Sequence, residues 1–313
     1  MEPLLNIVLP VFAIVGAGYL AGARGLLGED SSAALNRFVY WVALPALLFR
    51  SMAGVDLAEV FDVGFIAGFL GALLVLWLIA GLLARLLFGH DLVLATLHGM
   101  NGVYGNSGYM GIPLAITAFG EAAALPAIVA TVINTAVVVG IAVVLIELGQ
   151  KKGESAGRVA RNLGSSLVRN PMLAAPALGL LYAATGLDLP TPVDAFTGIL
   201  GAAAGPCALF AIGLFLVGKP QSEGRGEVAL IVTMKLLGQP LLTAAAVFLV
   251  LPTDPLWAKT AILMAALPTG AGSFVLAQAY GVYVLRTSSA ILAGTVVAVA
   301  TLSVFFLIFP PGQ

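Results

Sequence analysis

The chain has 313 residues, of which 60% are hydrophobic and 9% are charged, and its formal net charge at pH 7 is -1. Because an ordinary soluble domain carries about 25% charged residues, this composition excludes a soluble domain and indicates an integral protein of a lipid bilayer. The near-neutral charge gives no reason to expect nucleic acid as a partner, and the single Cys207 excludes an internal disulfide and a cysteine-built metal cluster. We predict no bound metal and no cofactor.

A membrane-spanning helix needs about 20 apolar residues, and glycines, prolines and charges separate ten such segments here. The first run follows Glu2 with no basic region before it, so we interpret it as a retained span rather than a cleaved signal. The predicted fold is all-α, with ten transmembrane helices. The predicted spans are 4–23, 35–53, 63–88, 93–119, 123–148, 167–187, 193–217, 228–251, 256–280 and 288–309.

The longest polar stretch, residues 149–166, divides the ten spans five and five. We therefore predict a first five-helix repeat at 1–149, a linker at 150–166 and a second five-helix repeat at 167–313. An odd number of spans per repeat inverts the second copy in the membrane, as in many secondary transporters. Prolines and glycines recur 161 residues apart, at Pro10 and Pro171, Pro45 and Pro206, Gly18 and Gly179, Gly25 and Gly186, Gly111 and Gly272, and Gly120 and Gly281.

The distribution of lysine and arginine between the loops predicts the orientation. Eleven of these residues fall on the side of the linker and two, Arg50 and Lys259, on the other. Since short cytoplasmic loops are enriched in Lys and Arg, the linker is predicted to be cytoplasmic. We expect a multi-pass protein of the cell (inner or plasma) membrane with both termini extracytoplasmic.

The fourth and ninth spans cannot continue as ordinary helices. Residues 101–113 read NGVYGNSGYMGIP, in which each glycine costs about 1 kcal/mol against alanine and the proline lacks an amide proton. Residues 265–281 repeat the pattern with a Pro-Thr-Gly sequence. Non-helical backbone at membrane depth persists only inside protein or along a cavity, so we expect the two breaks to form a binding site. The predicted crossover and hinge positions are Gly105, Gly111, Pro113 and Gly272.

Each break supplies a second half-helix whose N-terminus carries partial positive charge and free amide protons. Two such ends that face each other, near Gly108 and Gly270, predict an anion site. The alternative is that the glycines only permit close helix packing, and Asn134 could equally bond to a neighbouring helix. The predicted substrate-binding residues are Asn106, Ser107, Gly108, Asn134, Pro268, Thr269, Gly270, Ser273 and Gln278.

The positions of the charged residues separate classes of transporter. All fifteen acidic residues fall in loops or at span ends, which weighs against a carboxylate-driven proton antiporter. Lys235 lies about two turns into the eighth span, and we interpret it as snorkelling to the interface in preference to acting as a functional countercharge. The two histidines, His90 and His98, lie in no metal or nucleophile motif, so an enzyme is not predicted.

Three segments resemble one family beyond what composition dictates: NSGYMGIP at 106–113, LNRFVYWVALPALLF at 35–49 and ALPTGAGSFVLAQAYGV at 266–282. They resemble the auxin efflux carrier (AEC) family of membrane transporters, which includes plant auxin carriers and bacterial members proposed to carry malonate or other small organic acids. Asn106 and Pro268 match polar and proline positions at the family's two crossings, and Asn134 falls where plant members have a glutamine. The chain departs from plant members in lacking an acidic residue in the third span and a very long cytoplasmic loop.

The resemblance implies a scaffold of helices 1, 2, 6 and 7 that also forms a homodimer, and a moving transport bundle of helices 3–5 and 8–10. We therefore predict a secondary transporter of small organic anions, auxin-like or mono- and dicarboxylate, that works by alternating access. The alternatives are a sodium- or proton-coupled transporter or antiporter of the same architecture, in which freed carbonyls coordinate sodium, and a non-transporting membrane sensor.

Overall fold

The computed structural model describes residues 2–54, 62–150, 171–218 and 224–310. The predicted linker lies outside these residues except for Gln150, as do four of its basic residues, Lys151, Lys152, Arg158 and Arg161. Regular structure within the described ranges is helical, with one isolated bridge between two extended residues. The predicted all-α class is therefore confirmed.

Helices follow one another closely along the described chain. We label them α1 (Glu2–Ala23), α2 (Glu29–Phe38, Val39–Ala43 and Leu44–Ala53), α3 (Val63–Phe88), α4a (Leu92–Asn101), α4b (Ser107–Gly111 and Ile112–Phe119), α5 (Ala124–Val132, Ile133–Val138 and Val139–Gln150), α6 (Pro171–Ala183), α7 (Thr191–Ala202 and Ala204–Phe215), α8 (Arg225–Thr233, Met234–Gly238, Gln239–Ala245 and Ala246–Val250), α9a (Pro255–Ala265), α9b (Ala271–Tyr280) and α10 (Val284–Ile308).

Six of the described helices are long and apolar enough to cross a membrane: α2, α3, α5, α7, α8 and α10. Shorter apolar helices lie in α1 and α6, at Ala13–Ala23 and Ala174–Ala183. The two halves of α4 and of α9 are separated by breaks. The protein is therefore multi-pass, while the full count of ten spans and their inverted arrangement stay predictions.

The outer surface of the bundle is strongly apolar. Leu78, Ile199, Leu249 and Leu307 are between 74% and 81% exposed. A soluble protein rarely shows so many large apolar side chains around its exterior, whereas lipid tails accept them. The exterior therefore fits the hydrocarbon environment that the composition indicates.

Three of the prolines inside the described helices are preceded by wider, π-helical turns. Val39–Ala43 precedes Pro45, Ser107–Gly111 precedes Pro113, and Met234–Gly238 precedes Pro240. A proline removes one amide donor, and a local change of hydrogen-bond spacing lets the helix continue past it. Pro113 therefore lies inside a continuous helix, and the break in α4 falls before it, at residues 102–106.

The interrupted helices α4 and α9 form the centre of the molecule. Residues 260–265 of α9a and 273–277 of α9b are all buried, as are residues 95–101 of α4a. Because the backbone leaves the helical path at both breaks in this buried region, its polar groups need partners from within the protein. The partners they find define the candidate site.

Candidate functional site

The two breaks satisfy each other's backbone groups. The amide of Asn106 donates to the carbonyl of Pro268 at 2.9 Å, and the amide of Gly270 donates to the carbonyl of Tyr104 at 2.9 Å. Gly105 and Thr269 lie between these two hydrogen bonds and are paired in an antiparallel bridge. Water is absent from the hydrocarbon region, so this short pairing replaces the hydrogen bonds that the interrupted helices lack.

A helix begins directly after each paired segment. Helix α4b starts at Ser107 and α9b starts at Ala271, after Gly270 in extended conformation. The first amide groups of a helix have no partner within it and carry the positive end of the helix dipole. Both starts border one cavity, so the positive ends of two helix dipoles lie beside it.

That cavity has a volume of about 130 Å³. An engineered cavity of about 150 Å³ in another protein admits benzene, so this space suits a compact organic molecule. The two breaks form one wall, and α2, α5 and α7 supply the rest. The polar residues that line it are Ser51, Tyr104, Asn106, Ser107, Thr131 and Thr135.

Four of the predicted substrate-binding residues line this cavity. They are Asn106, Ser107, Gly108 and Gly270, and the predicted hinge residues Gly105 and Gly272 join them. Asn106 is 7% exposed, so its side chain is held within the protein interior. The structure thus brings the two distant segments that carry these residues to one place.

Other predicted residues support the breaks from outside the cavity lining. Pro268 contributes its carbonyl to the pairing of the two breaks. The hydroxyl of Thr269 donates to the carbonyl of Asn101 at 2.8 Å, and that of Ser273 donates to the carbonyl of Gly270 at 2.9 Å. Both hydroxyls therefore satisfy backbone carbonyls: the Thr269 hydroxyl binds the other interrupted helix, and the Ser273 hydroxyl binds its own segment.

The remaining predicted residues lie further away. Gly111 allows α4b to approach α9a and the break after it, since a Cβ there would lie 2.8 Å from Cε of Met264 and 2.6 Å from Cδ1 of Leu267. Pro113 is part of the continuous helix described above. Gln278 lines a separate cavity of about 660 Å³, together with Asn36, Glu147 and Tyr280.

Asn134 holds the first break from behind. Its side-chain Nδ2 donates to the carbonyl of Gly105 at 2.9 Å and lies 3.3 Å from the hydroxyl oxygen of Ser107. Asn134 is 3% exposed, and its Oδ1 atom finds no hydrogen-bond partner among the described residues. The residue therefore fixes the path of the break and leaves one buried acceptor unused.

The interpretation of Lys235 as a snorkelling residue is wrong. Its side chain is 1% exposed, and Nζ donates to the carbonyl of Ala265, the last residue of α9a, at 2.7 Å. A Cβ placed on Gly105 would lie 3.5 Å from both Lys235 Nζ and Asn134 Nδ2. The carbonyls freed by the break in α9 give the ammonium a buried acceptor, which is why it stays inside.

Tyr104 is a second residue that sequence reasoning missed. A Cβ on Gly272 would lie 2.4 Å from the hydroxyl oxygen of Tyr104, and one on Gly270 would lie 2.8 Å from its Cε1. The tyrosine ring therefore packs directly on these two glycines. The sequence signal was present, since glycines two residues apart leave a flat surface that an aromatic ring can cover.

A second buried charged residue lies in a different part of the molecule. Glu227, 6% exposed, accepts from the hydroxyl of Tyr283 at 2.5 Å and from Nε2 of His90 at 2.8 Å, and Nε of Arg286 lies 3.1 Å away. Burial, together with the Glu227 carboxylate, raises the pKa of Tyr283, so its phenol stays protonated and donates. Nδ1 of His98 lies 2.8 Å from the Tyr283 oxygen. We call these five residues the Glu227 cluster.

Comparison with known proteins gives the family. The sequence model described as "Membrane transport protein" matches residues 3–306. The chain is 32% identical over 303 residues to the "Putative malonate transporter" of Rhizobium meliloti (strain 1021), which covers 97% of this chain and 95% of the relative. It is 28% identical over 310 residues to an "Uncharacterized transporter" of Methanothermobacter thermautotrophicus, covering 96% and 97% of the two chains.

A plant relative is similar over a shorter region. "Auxin efflux carrier component 8" of Arabidopsis thaliana is 31% identical over 150 residues, which is 45% of this chain and 40% of the relative. These relatives are named as transporters, and none is named as an enzyme. The family match spans nearly the whole chain, and the helices and buried breaks described above agree with a membrane carrier. The chain belongs to the auxin efflux carrier family of membrane transport proteins.

Proposed function

We propose that this protein is a secondary transporter of small organic anions and binds its substrate in the cavity between the two helix breaks. One observation carries the proposal: the starts of α4b and α9b line the same cavity, with the buried ammonium of Lys235 behind the first break. Amide protons at helix starts favour anions, and a buried cation strengthens that preference.

The class of substrate follows from these groups and from the size of the cavity. A carboxylate accepts from several donors at once, which suits amides near Gly108 and Gly270 and the side chain of Asn106. A volume of about 130 Å³ suits a compact mono- or dicarboxylate. The name of the Rhizobium meliloti relative concerns malonate, a dicarboxylate, which supports the same class.

Transport would proceed by alternating access between two groups of helices. We assign α1, α2, α6 and α7 to a scaffold that also forms a homodimer, and α3–α5 and α8–α10 to a moving bundle. The cavity supports this division because α2 and α7 line one side of it and the breaks line the other. A site at such an interface is exposed alternately when one group of helices moves against the other.

Matching local structure supports two inverted repeats. Gly25 and Gly186, which are 161 residues apart, both have a φ of +69°. A Cβ on Gly18 would lie 2.2 Å from the carbonyl oxygen of Phe210, and one on Gly179 would lie 2.5 Å from that of Phe49. Glycines related by the repeat therefore make equivalent close helix contacts, which a chance recurrence does not explain.

A wider cavity adjoins the candidate site. It has a volume of about 960 Å³ and extends to the ion pair of Arg50 and Asp194. Arg50 is on the predicted extracytoplasmic side, so we assign this structure to a state in which the site faces outward. The residues that line both cavities are Leu47, Ser51, Ile112 and Thr131.

Ligand-dependent thermal stability of the purified protein tests the proposal. A ligand at a hundredfold excess over its dissociation constant stabilises the folded state by about 2.7 kcal/mol. Mono- and dicarboxylates, amino acids and neutral analogues are compared, each with sodium and without it. We expect a carboxylate-dependent shift that is lost in Asn106→Ala, while that variant keeps its folding and membrane insertion.

Asn101→Ala is the matched control, because Asn101 lies in the same interrupted helix but donates to the Thr287 hydroxyl at 2.9 Å rather than lining the cavity. It should lower the melting temperature and retain carboxylate affinity. Unchanged carboxylate affinity in Asn106→Ala would refute the site. A stability shift caused only by sodium or by pH would favour the cation-coupled alternative, and no response to any solute would favour a sensor.

A further inference from the structure

The C-terminal end of α9a is a place where transporters commonly bind a coupling cation. Its last residues leave carbonyl groups without intrahelical partners, and the helix dipole gives this end partial negative charge. In carriers with interrupted helices, such ends and the unwound carbonyls beside them coordinate sodium or receive protons. Here Lys235 Nζ lies on the carbonyl of Ala265, the final residue of α9a, at 2.7 Å.

The surroundings of this ammonium are rich in oxygen atoms and poor in negative charge. A Cβ placed on Gly105 would lie 3.3 Å from the carbonyl oxygen of Met264 and 3.5 Å from Lys235 Nζ, so these groups meet around one glycine. Asn134 adds a buried Oδ1 that has no partner in the described part of the chain. Carbonyl and amide oxygens of this kind are ligands of hard cations.

No carboxylate among the described residues lies within ion-pair distance of Lys235. A buried ammonium without an anionic neighbour is costly, because desolvation is compensated only by its hydrogen bonds. This charge therefore has a neutral partner within the protein and would gain an ionic one when an anion enters the adjacent cavity.

We propose that the ammonium of Lys235 takes the place of a free coupling cation, as a monovalent cation tethered to α8. The carrier then needs no sodium for binding or transport, and its fixed positive charge is compensated by the substrate anion. Compensation of this charge by a substrate anion rests on the proposed function, whereas the replacement of a free cation concerns the cation site alone. Lys235 is thus a positioning residue that acts on the substrate through its charge and through the break it holds.

The cation site is tested without substrate, by the melting temperature of the purified protein in sodium chloride, choline chloride or propylammonium chloride at equal ionic strength. Lys235→Ala removes three methylene carbons and the amine, which propylammonium restores. We expect no specific response to sodium in the natural protein, and a rise in melting temperature of Lys235→Ala with propylammonium or sodium. Lys259→Ala, a lysine variant on α9a away from the break, should respond to neither.

Stabilisation of the natural protein by sodium over choline would overturn the proposal, because its cation site would then be open to the free ion. A folded Lys235→Ala that responds to neither cation would overturn it as well. A response of Lys259→Ala equal to that of Lys235→Ala would also contradict it, because the effect would not be local to the site.

Lys235→Met serves as a second variant that fills the space of the side chain without its charge. We expect the affinity of this variant for carboxylates to fall about tenfold or more, and each factor of ten corresponds to a loss of about 1.4 kcal/mol. Its affinity for a neutral amide analogue should stay the same. Carboxylate affinity equal to that of the natural protein would refute the role of the charge. If no carboxylate binds the natural protein but Lys235→Ala gains the cation response, the proposed function fails and the tethered cation stands.

Discussion

The protein buries two charged side chains in opposite ways. The Glu227 carboxylate is surrounded by donors, with the Tyr283 hydroxyl at 2.5 Å, His90 Nε2 at 2.8 Å and Arg286 Nε at 3.1 Å. Lys235 is more deeply buried, yet within the described part of the chain its ammonium donates to a neutral carbonyl, that of Ala265. Lys235, the less exposed of the two, therefore has fewer partners to offset the cost of burying its charge.

The difference separates a structural cluster from a site that awaits a ligand. The Glu227 cluster joins the turn after α3, helix α4a, the start of α8 and the start of α10, so it fastens four elements of the bundle at one end. A buried charge with several ionic and hydroxyl partners contributes to a fixed structure, whereas a charge with a single neutral partner costs stability and is retained for function. Lys235, next to the breaks, belongs to the second kind.

The largest difference in stability that we expect is between the variants that remove one buried charge or the other. Glu227→Ala leaves its cationic and hydroxyl partners unpaired and should lower the free energy of unfolding by about 3–5 kcal/mol. Lys235→Met removes an ammonium that has no ionic partner among the described residues, so stability should stay the same or rise, at the expense of anion affinity. Thermal or denaturant unfolding of the two purified variants measures both. A loss in Lys235→Met as large as that in Glu227→Ala would mean that both charges are structural.

Much of this architecture could be predicted from the sequence. The third helix has the predicted bounds, Val63–Phe88, because the glycine after Phe88 and the aspartate before Val63 are strong end signals. Both breaks occur inside the glycine-rich segments, since glycine-rich backbone in a buried helix is costly and finds partners in a second break. Composition and local backbone chemistry were sufficient for these features.

The contacts of individual side chains could not be predicted in the same way. Lys235 is buried because its acceptor, Ala265, comes from a helix end 30 residues later in the chain. Thr269 and Ser273 have the polarity of ligands, but each hydroxyl finds a nearer carbonyl and turns away from the cavity. Such choices depend on tertiary packing, and a sequence pattern alone does not contain them.

The contact between Tyr104 and the second break gives the next largest effect. Gly272→Ala would place a Cβ 2.4 Å from the Tyr104 oxygen, so the ring must move out of the position where it lines the cavity. We expect a loss of about 1–3 kcal/mol in stability and a clear loss of carboxylate affinity. Gly71→Ala in α3 is the control, because a Cβ there meets nothing within 4 Å. Alanine should stabilise that helix by up to about 1 kcal/mol and leave binding unchanged.

If Gly272→Ala and Gly71→Ala lost stability to a similar extent, helix propensity rather than the Tyr104 contact would determine the effect at the break. Isothermal or thermal-shift titration with the best carboxylate separates the two effects, because only Gly272→Ala should change the dissociation constant. An effect on binding that is confined to Gly272→Ala would place Tyr104 in the binding region beside Lys235, away from the Glu227 cluster.

A change in stability without a change in affinity is expected within the Glu227 cluster itself. Tyr283 has a φ of +59°, in the left-handed region, which costs a non-glycine residue about 1–2 kcal/mol. Its hydroxyl contacts with Glu227 and His98 offset that cost. Tyr283→Phe should lower stability by about 1–3 kcal/mol, since it leaves a buried charged acceptor with one donor fewer. Substrate affinity should not change, and a large loss of affinity at unaltered stability would contradict the structural assignment.

Tyr182→Phe is the matched control for that variant. The Tyr182 hydroxyl donates to the carbonyl of Asp188 at 3.0 Å in an exposed position, where water replaces the lost donor. The change in stability should be below about 1 kcal/mol. Similar losses in the two phenylalanine variants would show that burial of the cluster adds nothing to the strength of its hydrogen bonds.

The smallest effect on stability is expected at an exposed ion pair. Arg50 donates to Asp194 through Nε at 2.6 Å and through a terminal nitrogen at 3.1 Å, and both side chains are nearly half exposed. Solvent screens such a pair, so Asp194→Asn should leave the melting temperature almost unchanged. Arg50 also lines the wider cavity that adjoins the candidate site, and the variant leaves its positive charge uncompensated. Carboxylates should therefore associate faster in Asp194→Asn at low ionic strength, and the gain should disappear as added salt screens the charge. A rate that does not depend on salt, or an equal gain for neutral analogues, would show that substrates reach the breaks by another route.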